Sequence, residues 1–127
     1  MAQFLPLAPS FYEREDVVAI ARDLLGQWLV TNFQRRLTVG RIVETEAYAG
    51  TTDKASHAWK GRLTDRTKVM YGPSGHAYVY LCYGLHALFN VVTNRREIPH
   101  AVLIRALEPV QGQQWMAIRT GKAMQDK

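Results

Sequence analysis

Apolar residues return at helical spacing early in the chain: between Phe11 and Leu25 they fall at Val17, Val18, Ile20, Ala21, Leu24 and Leu25. The spacing predicts an amphipathic helix, with Ser10 placed to cap its start and Gly26 to close its end. Strand-like text follows at once. "QWLVTNF", residues 27–33, reads as a strand, "QRR" as a turn, and residues 37–47 as the second arm of a hairpin. Periodicity then lapses over residues 49–75, which hold Gly50, Gly61, Gly72, Pro73 and Gly75; a connection that long in a small domain is usually functional or disordered. From His76 the chain turns apolar again. "HAYVYLCY" reads as an aromatic-rich strand broken at Gly84, "LHALFNVVT" as a strand or short helix, and residues 94–99 as a loop. "HAVLIRALEP", residues 100–109, reads as a buried strand stopped by Pro109, and "GQQWMAIR" as the start of a helix. Strands without regular βαβ alternation imply an α+β fold: a mixed, mostly antiparallel, curved sheet with helices packed on it. The text shows no internal repeat and no low-complexity tract, so residues 1–127 are read as one domain.

Within this pattern one stretch conflicts with itself. "GRIVETEAYAG", residues 40–50, opens as a buried strand, yet a regular strand would place Ile42, Glu44, Glu46 and Tyr48 on the same face. An apolar residue, two acids and a tyrosine sharing one side imply a face that is either wet or chemically employed.

Composition narrows the partners. The 127 residues carry 16 Lys and Arg against 11 Asp and Glu, with 47% hydrophobic and 21% charged residues. That is the make-up of a globular protein and argues against a disordered chain. A pI near 9.6 favours an anionic partner, whether nucleic acid, phosphate or an acidic surface. Cys82 is the single cysteine and cannot form an internal disulfide. No apolar run reaches the roughly 18 residues that span a membrane, and the N-terminus lacks a basic signal-peptide start. The expected location is the cytoplasm, with the nucleoid, or the nucleus in a eukaryotic cell.

Most candidate residues are weak signals singly. His57, His76, His86 and His100 show no metal-ligand spacing, and no glycine loop for phosphate is present, so neither a metal nor a cofactor is expected. Together the signals say more. Residues 54–68, "KASHAWKGRLTDRTK", set Lys54, Lys60, Arg62, Arg66 and Lys68 against Asp65 alone and interleave His57 and Trp59. Cations interleaved with stacking rings fit a nucleic-acid backbone whose bases are taken on aromatic faces.

"GRIVETEAYAG", His57, "YVYLCYG" at 78–84, Asn90 and "AVLIRALEP" at 101–109, in that order and at those separations, resemble the alkyladenine (3-methyladenine) DNA glycosylases. The likeness runs from about Phe11 to about Arg119. It implies a monofunctional base-excision repair enzyme that flips alkylated or deaminated purines out of double-stranded DNA and hydrolyses the N-glycosidic bond. By the same resemblance Glu46 is the general base, Tyr48, His57 and Tyr80 enclose the extruded purine, and Tyr83 enters the duplex in its place. Asn90 lies at the pocket floor and discriminates against the guanine amine, and Arg105 stands near the base and the substrate backbone. Physical chemistry agrees where it speaks: a stacked base is beyond attack until it is extruded. Glu44 is expected to pair with an arginine. Chains of that family run on well past "RALEP", so the resemblance also implies a C-terminal segment, or a second chain, beyond what is read here. The rival reading is a non-catalytic nucleic-acid-binding module, or an inactive piece of such an enzyme.

Overall fold

The computed structural model describes residues 4–82 and 86–121. Its first long helix, α2 (Val17–Leu24), follows a short α1 (Pro9–Tyr12). The expected single helix from Phe11 is thus two. The break has a local cause: Asp16 caps α2, its carboxylate accepting from Ala19 N at 3.1 Å, so the helix starts there and not at Ser10. Val17, Ile20, Ala21 and Leu24, spaced as one helical face, are all buried, and Ile20 has no exposed surface. Gly26 follows in the left-handed region at φ 87°, as a helix-ending glycine does.

Five strands form one sheet in the order β1-β2-β5-β4-β3: β1 (Trp28–Phe33), β2 (Arg36–Tyr48), β3 (Ala77–Cys82), β4 (His86–Thr93) and β5 (His100–Gln111). Every pairing is antiparallel, so the fold is α+β with no parallel strand pair among the described residues. The β1–β2 hairpin closes through Gln34 and Arg35, both at positive φ, the geometry that matches strand twist across a two-residue turn. "LHALFNVVT" resolves as strand. β5 does not stop at Pro109: it pairs there with Gly40 and continues to Gln111. β4 accompanies β5 only as far as Ile104, so past that point one edge of β5 meets no strand among the described residues, and a proline on an open edge removes no ladder bond. Gly112 then turns the chain into α3 (Gln113–Thr120) at φ 83°, where an added Cβ would fall 2.2 Å from Leu37 O.

The sheet is used on both faces. On one, α2 packs against Ile42, Val91, Val102 and Ile104. On the other, Ala58 and Met70 from the long connection pack on Tyr78, Val92 and Ala101. That connection is ordered as three short turns of 3-10 helix, Gly50–Thr52, Trp59–Gly61 and Lys68–Tyr71. Strand alternation explains the division on β5, where Val102 and Ile104 face α2 and Ala101 and Leu103 face the connection.

β2 departs from that alternation. Ile42 is in the α2 core, and so is Ala47, while Thr45 donates through Oγ1 to Ala21 O of α2 at 2.9 Å. Residues 42, 45 and 47 on one face require one parity change. It occurs where Ile42 pairs with Leu107 but Glu44 pairs with Ala106, leaving Val43 as an extra residue; a second shift between Glu44 and Thr45 leaves Arg105 extra on β5. The expected shared face of Ile42 and Glu44 is therefore wrong. Ile42 turns inward, and Glu44, Glu46 and Tyr48 turn away from it.

Deleting Val43 should restore regular alternation with Ile42, Thr45 and Ala47 still inward and Glu46 still outward, whereas deleting Thr45 keeps the extra residue and turns Glu46 toward α2. Val43 is 43% exposed, so Val43→Ala should change stability by no more than about 0.5 kcal/mol. The Thr45 deletion should cost at least about 3 kcal/mol more than the Val43 deletion, because only it drives an acid into an apolar core. Urea denaturation of the two deletion variants measures this, and equal midpoints would refute the register assignment.

Candidate active site

β2, β5 and the long connection meet at one edge of the second face. Tyr48 donates its hydroxyl to Glu46 Oε2 at 2.7 Å, and Arg105 donates from Nη1 to Glu46 Oε1 at 2.9 Å. Both oxygens of Glu46 are thus occupied once, and each keeps a further lone pair for another donor. Arg105 also reaches Glu44, Nε to Oε2 at 3.3 Å, so one guanidinium serves two carboxylates. Glu44 pairs with an arginine as expected, and that arginine is the one already holding Glu46.

Beside this cluster lies a pocket of about 50 Å³, lined by Tyr48, His57, Met70, Tyr78, Asn90 and Leu103 among others. That is room for one or two waters, each of which occupies about 30 Å³ in the liquid. Asn90 is buried, and its Nδ2 donates to Tyr78 O at 3.2 Å and to Leu88 O at 3.3 Å. Two carbonyls can only accept, so the amide orientation is fixed and what remains for a ligand is Oδ1. His57 touches Tyr78 through Nδ1 at 2.9 Å and packs on Tyr80 with ring centroids 4.2 Å apart. Tyr80 backs His57 and is not on the pocket wall, and the Arg66 guanidinium lies 5.1 Å from its ring centre.

Of the residues expected at the site, the fold joins Glu46, Tyr48 and Arg105 directly and sets Tyr48, His57 and Asn90 around one pocket, with Tyr80 behind His57. Tyr83 lies outside the described residues. Tyr78 is the contributor that reading the sequence missed. Its place two residues before Tyr80 in "YVY" was the available signal, since both must share a face. Among the described residues no three His, Cys, Asp or Glu side chains gather as metal ligands, and no helix is long and apolar enough to cross a membrane.

The electrostatics follow from burial and neighbours. Desolvation, the hydrogen bond to Glu46 and the charge of Glu46 push the Tyr48 hydroxyl up to about 12, so it remains a donor at neutral pH. Burial also raises Tyr78. His57 is lowered, first by burial and then by Arg66 and Arg62, so its ring is neutral at neutral pH. A neutral ring beside a phenol must divide donor and acceptor. Tyr78 OH as donor makes Nδ1 the acceptor and leaves Nε2–H to the pocket. His100 is lowered as well, by burial, and its Nδ1 accepts from Asn94 Nδ2 at 3.3 Å; this side chain also lies within 3.0 Å of where a Cβ on Gly50 would sit.

Two lowered histidines make stability depend on pH with a definite sign. In the unfolded chain histidines titrate near 6.5, above these folded values, so the unfolded state binds more protons as pH falls through that range. Stability is then complete above about pH 6.5 and declines as pH drops below it. Melting temperature measured from about pH 7.5 down to about 5.5 should fall, and the His57→Asn/His100→Asn pair should flatten that slope. An unchanged slope in the double variant would assign the pH dependence elsewhere.

Comparison with known proteins completes the picture. Residues 10–127 match the model of the family described as methylpurine-DNA glycosylase (MPG). A protein of Chlamydia abortus, provisionally named a 3-methyladenine DNA glycosylase, is 50% identical over 113 residues, which is 89% of this chain and 60% of that one. A similarly named protein of Clostridium acetobutylicum is 48% identical over 120 residues, 94% of this chain and 58% of that one. One from Bacillus cereus is 56% identical over 104 residues, 82% of this chain and 50% of that one. The chain spans about half to three fifths of the length of these relatives. With the family model matching nearly its whole length, this chain belongs to the methylpurine-DNA glycosylase family.

Proposed function

We propose that this chain carries the base-excision site of a DNA glycosylase acting on alkylated or deaminated purines in duplex DNA. The observation that carries the reading is Glu46, held at both oxygens by Tyr48 and Arg105 at the edge of an aromatic-lined pocket. In the reaction a water held by a free lone pair of Glu46 attacks C1′ of the extruded nucleotide. The new O–C1′ bond forms as the glycosidic C–N bond breaks, the purine departs with the electron pair, and the water's proton passes to Glu46. No oxidation state changes, so the step calls for no redox partner. A cationic alkylpurine is neutralised by the electron pair it takes, which makes a positioned, activated water the main requirement.

The remaining roles follow the same reading. Tyr48 and His57, backed by Tyr80, enclose the purine, and Asn90 closes the floor. A pocket sized for waters has to widen to admit a purine, so the long connection that carries His57 moves on binding. Its cations, Lys54, Lys60 and Lys68 among them, meet the phosphates and make affinity salt-dependent. Tyr83 takes the gap left in the duplex, and the enzyme works where DNA is, in the nucleoid or the nucleus.

A second reading is that the chain binds DNA and flips bases without completing excision; it spans half to three fifths of the length of its relatives. Both readings give salt-dependent DNA binding. They separate on abasic-site formation in a duplex carrying one alkylated purine, which the first requires and the second forbids. Glu46→Gln should abolish base release while DNA affinity stays within a few-fold, because it removes a proton acceptor at nearly constant shape. Excision that survives this substitution would remove Glu46 from the chemistry.

A further inference from the structure

Tyr78 is 4% exposed, and a phenol O–H so enclosed needs an acceptor. His57 Nδ1 stands 2.9 Å away and is the one hydrogen-bond partner of that hydroxyl among the described residues. With the ring neutral, the phenol donates, Nδ1 accepts and the imidazole proton sits on Nε2. A half-turn of the ring, which packs on Tyr80 with centroids 4.2 Å apart, would put Cδ2 where Nδ1 stands and leave the phenol proton without its acceptor. The same residue also acts through its backbone. Tyr78 O accepts from Asn90 Nδ2 at 3.2 Å, which fixes that amide with Oδ1 as its acceptor end.

We propose that Tyr78 is the positioning residue of this pocket: its hydroxyl commits His57 to the Nε2–H tautomer, so that an entering base meets a fixed donor. The inference rests on the reading of the pocket as the seat of the extruded purine and goes beyond it by naming what sets the polarity of the histidine. A base is favoured when it turns a ring nitrogen or a carbonyl oxygen toward Nε2–H, and disfavoured when it turns an N–H there. The bond also crosses from one part of the fold to another. Tyr78 stands on β3 and His57 on the long connection, so the hydroxyl ties the pocket wall to the sheet.

The test is Tyr78→Phe in the 127-residue chain, which keeps the ring, removes the hydroxyl and leaves the backbone bond to Asn90 in place. Imidazole nitrogen chemical shifts near neutral pH, assigned to His57 by their absence in His57→Ala, report which nitrogen carries the proton. The parent should show Nδ1 bare and Nε2 protonated, and Tyr78→Phe a mixture of the two tautomers. The Tyr78 hydroxyl proton should be visible in the parent, protected by Nδ1, and lost to exchange with water in His57→Ala. On duplex DNA with one alkylated purine, single-turnover excision should fall about tenfold in Tyr78→Phe, the worth of one hydrogen bond, while DNA affinity stays within a few-fold.

A proton on Nδ1 in the parent overturns the proposal, and so does a His57 tautomer that is the same in both chains, which would leave Tyr78 as core packing. Equal excision by the two chains overturns it as well, by showing that the base makes no use of the donor. Absence of the hydroxyl proton from the parent spectrum overturns it without requiring the phenylalanine variant to fold. Should the parent release no base at all, the excision reading fails separately, and the nitrogen shifts still decide whether Tyr78 sets His57.

Discussion

The extra residue at Val43 is the constraint on which the rest of this structure turns. Ile42 is committed on every side: its N–H donates to Gln27 O and its C=O accepts from Gly26 N, both at 2.8 Å, and its side chain is sealed beneath α2. A regular strand leaving that point would carry Glu44 and Glu46 into the same core, at the desolvation penalty of unpaired buried carboxylates. The register shift releases the strand from its own parity. Thr45 and Ala47 inherit the core face, Thr45 adding a hydrogen bond into α2, and the acids emerge on the other side.

Two neighbouring faces of one strand are thereby joined mechanically. Glu46 and Tyr48 stand on a strand whose opposite side is bolted to a helix, so the pair is rigid without being buried. Arg105 comes from the matching irregularity in β5, which explains why it can meet both acids although it sits outside the regular ladder. Catalytic carboxylates benefit from such support, because small displacements of a reacting group cost more than the loss of most surface interactions.

The pocket wall is built differently. His57 rides on the long connection, whose order comes from local polar bonds: Asp53 accepts from Ala49 N and Ala55 N, Thr64 and Thr67 cap one another, and Tyr71 OH donates to Arg62 O. Below it, Ala58 and Met70 anchor the segment to the sheet. Bonds of this kind hold a loop in place yet yield more readily than a strand ladder. The site therefore joins a firm base to a more yielding wall.

Much of this was legible in the residue order. The α+β class, the hairpin at 27–47 and the strands after His76 follow from periodicity and turn residues, and the residues that meet at the site, Tyr78 apart, from resemblance, because local propensity and side-chain type are written one residue at a time. The start of the helix was misplaced at Ser10, because Asp16 supplies the cap and α2 begins there. What the sequence left undetermined is pairwise. Whether Glu44 shares a face with Ile42 depends on how β2 is paired with β5, and whether Pro109 ends β5 depends on which of its edges meets a partner. Tyr78 became a neighbour of His57 only when β3 came to lie beneath the long connection, and Arg105 met two acids only through a second register shift across the strand pair. Residue types determined which chemistry was possible; strand register, a property of two distant segments together, decided which side chains could perform it.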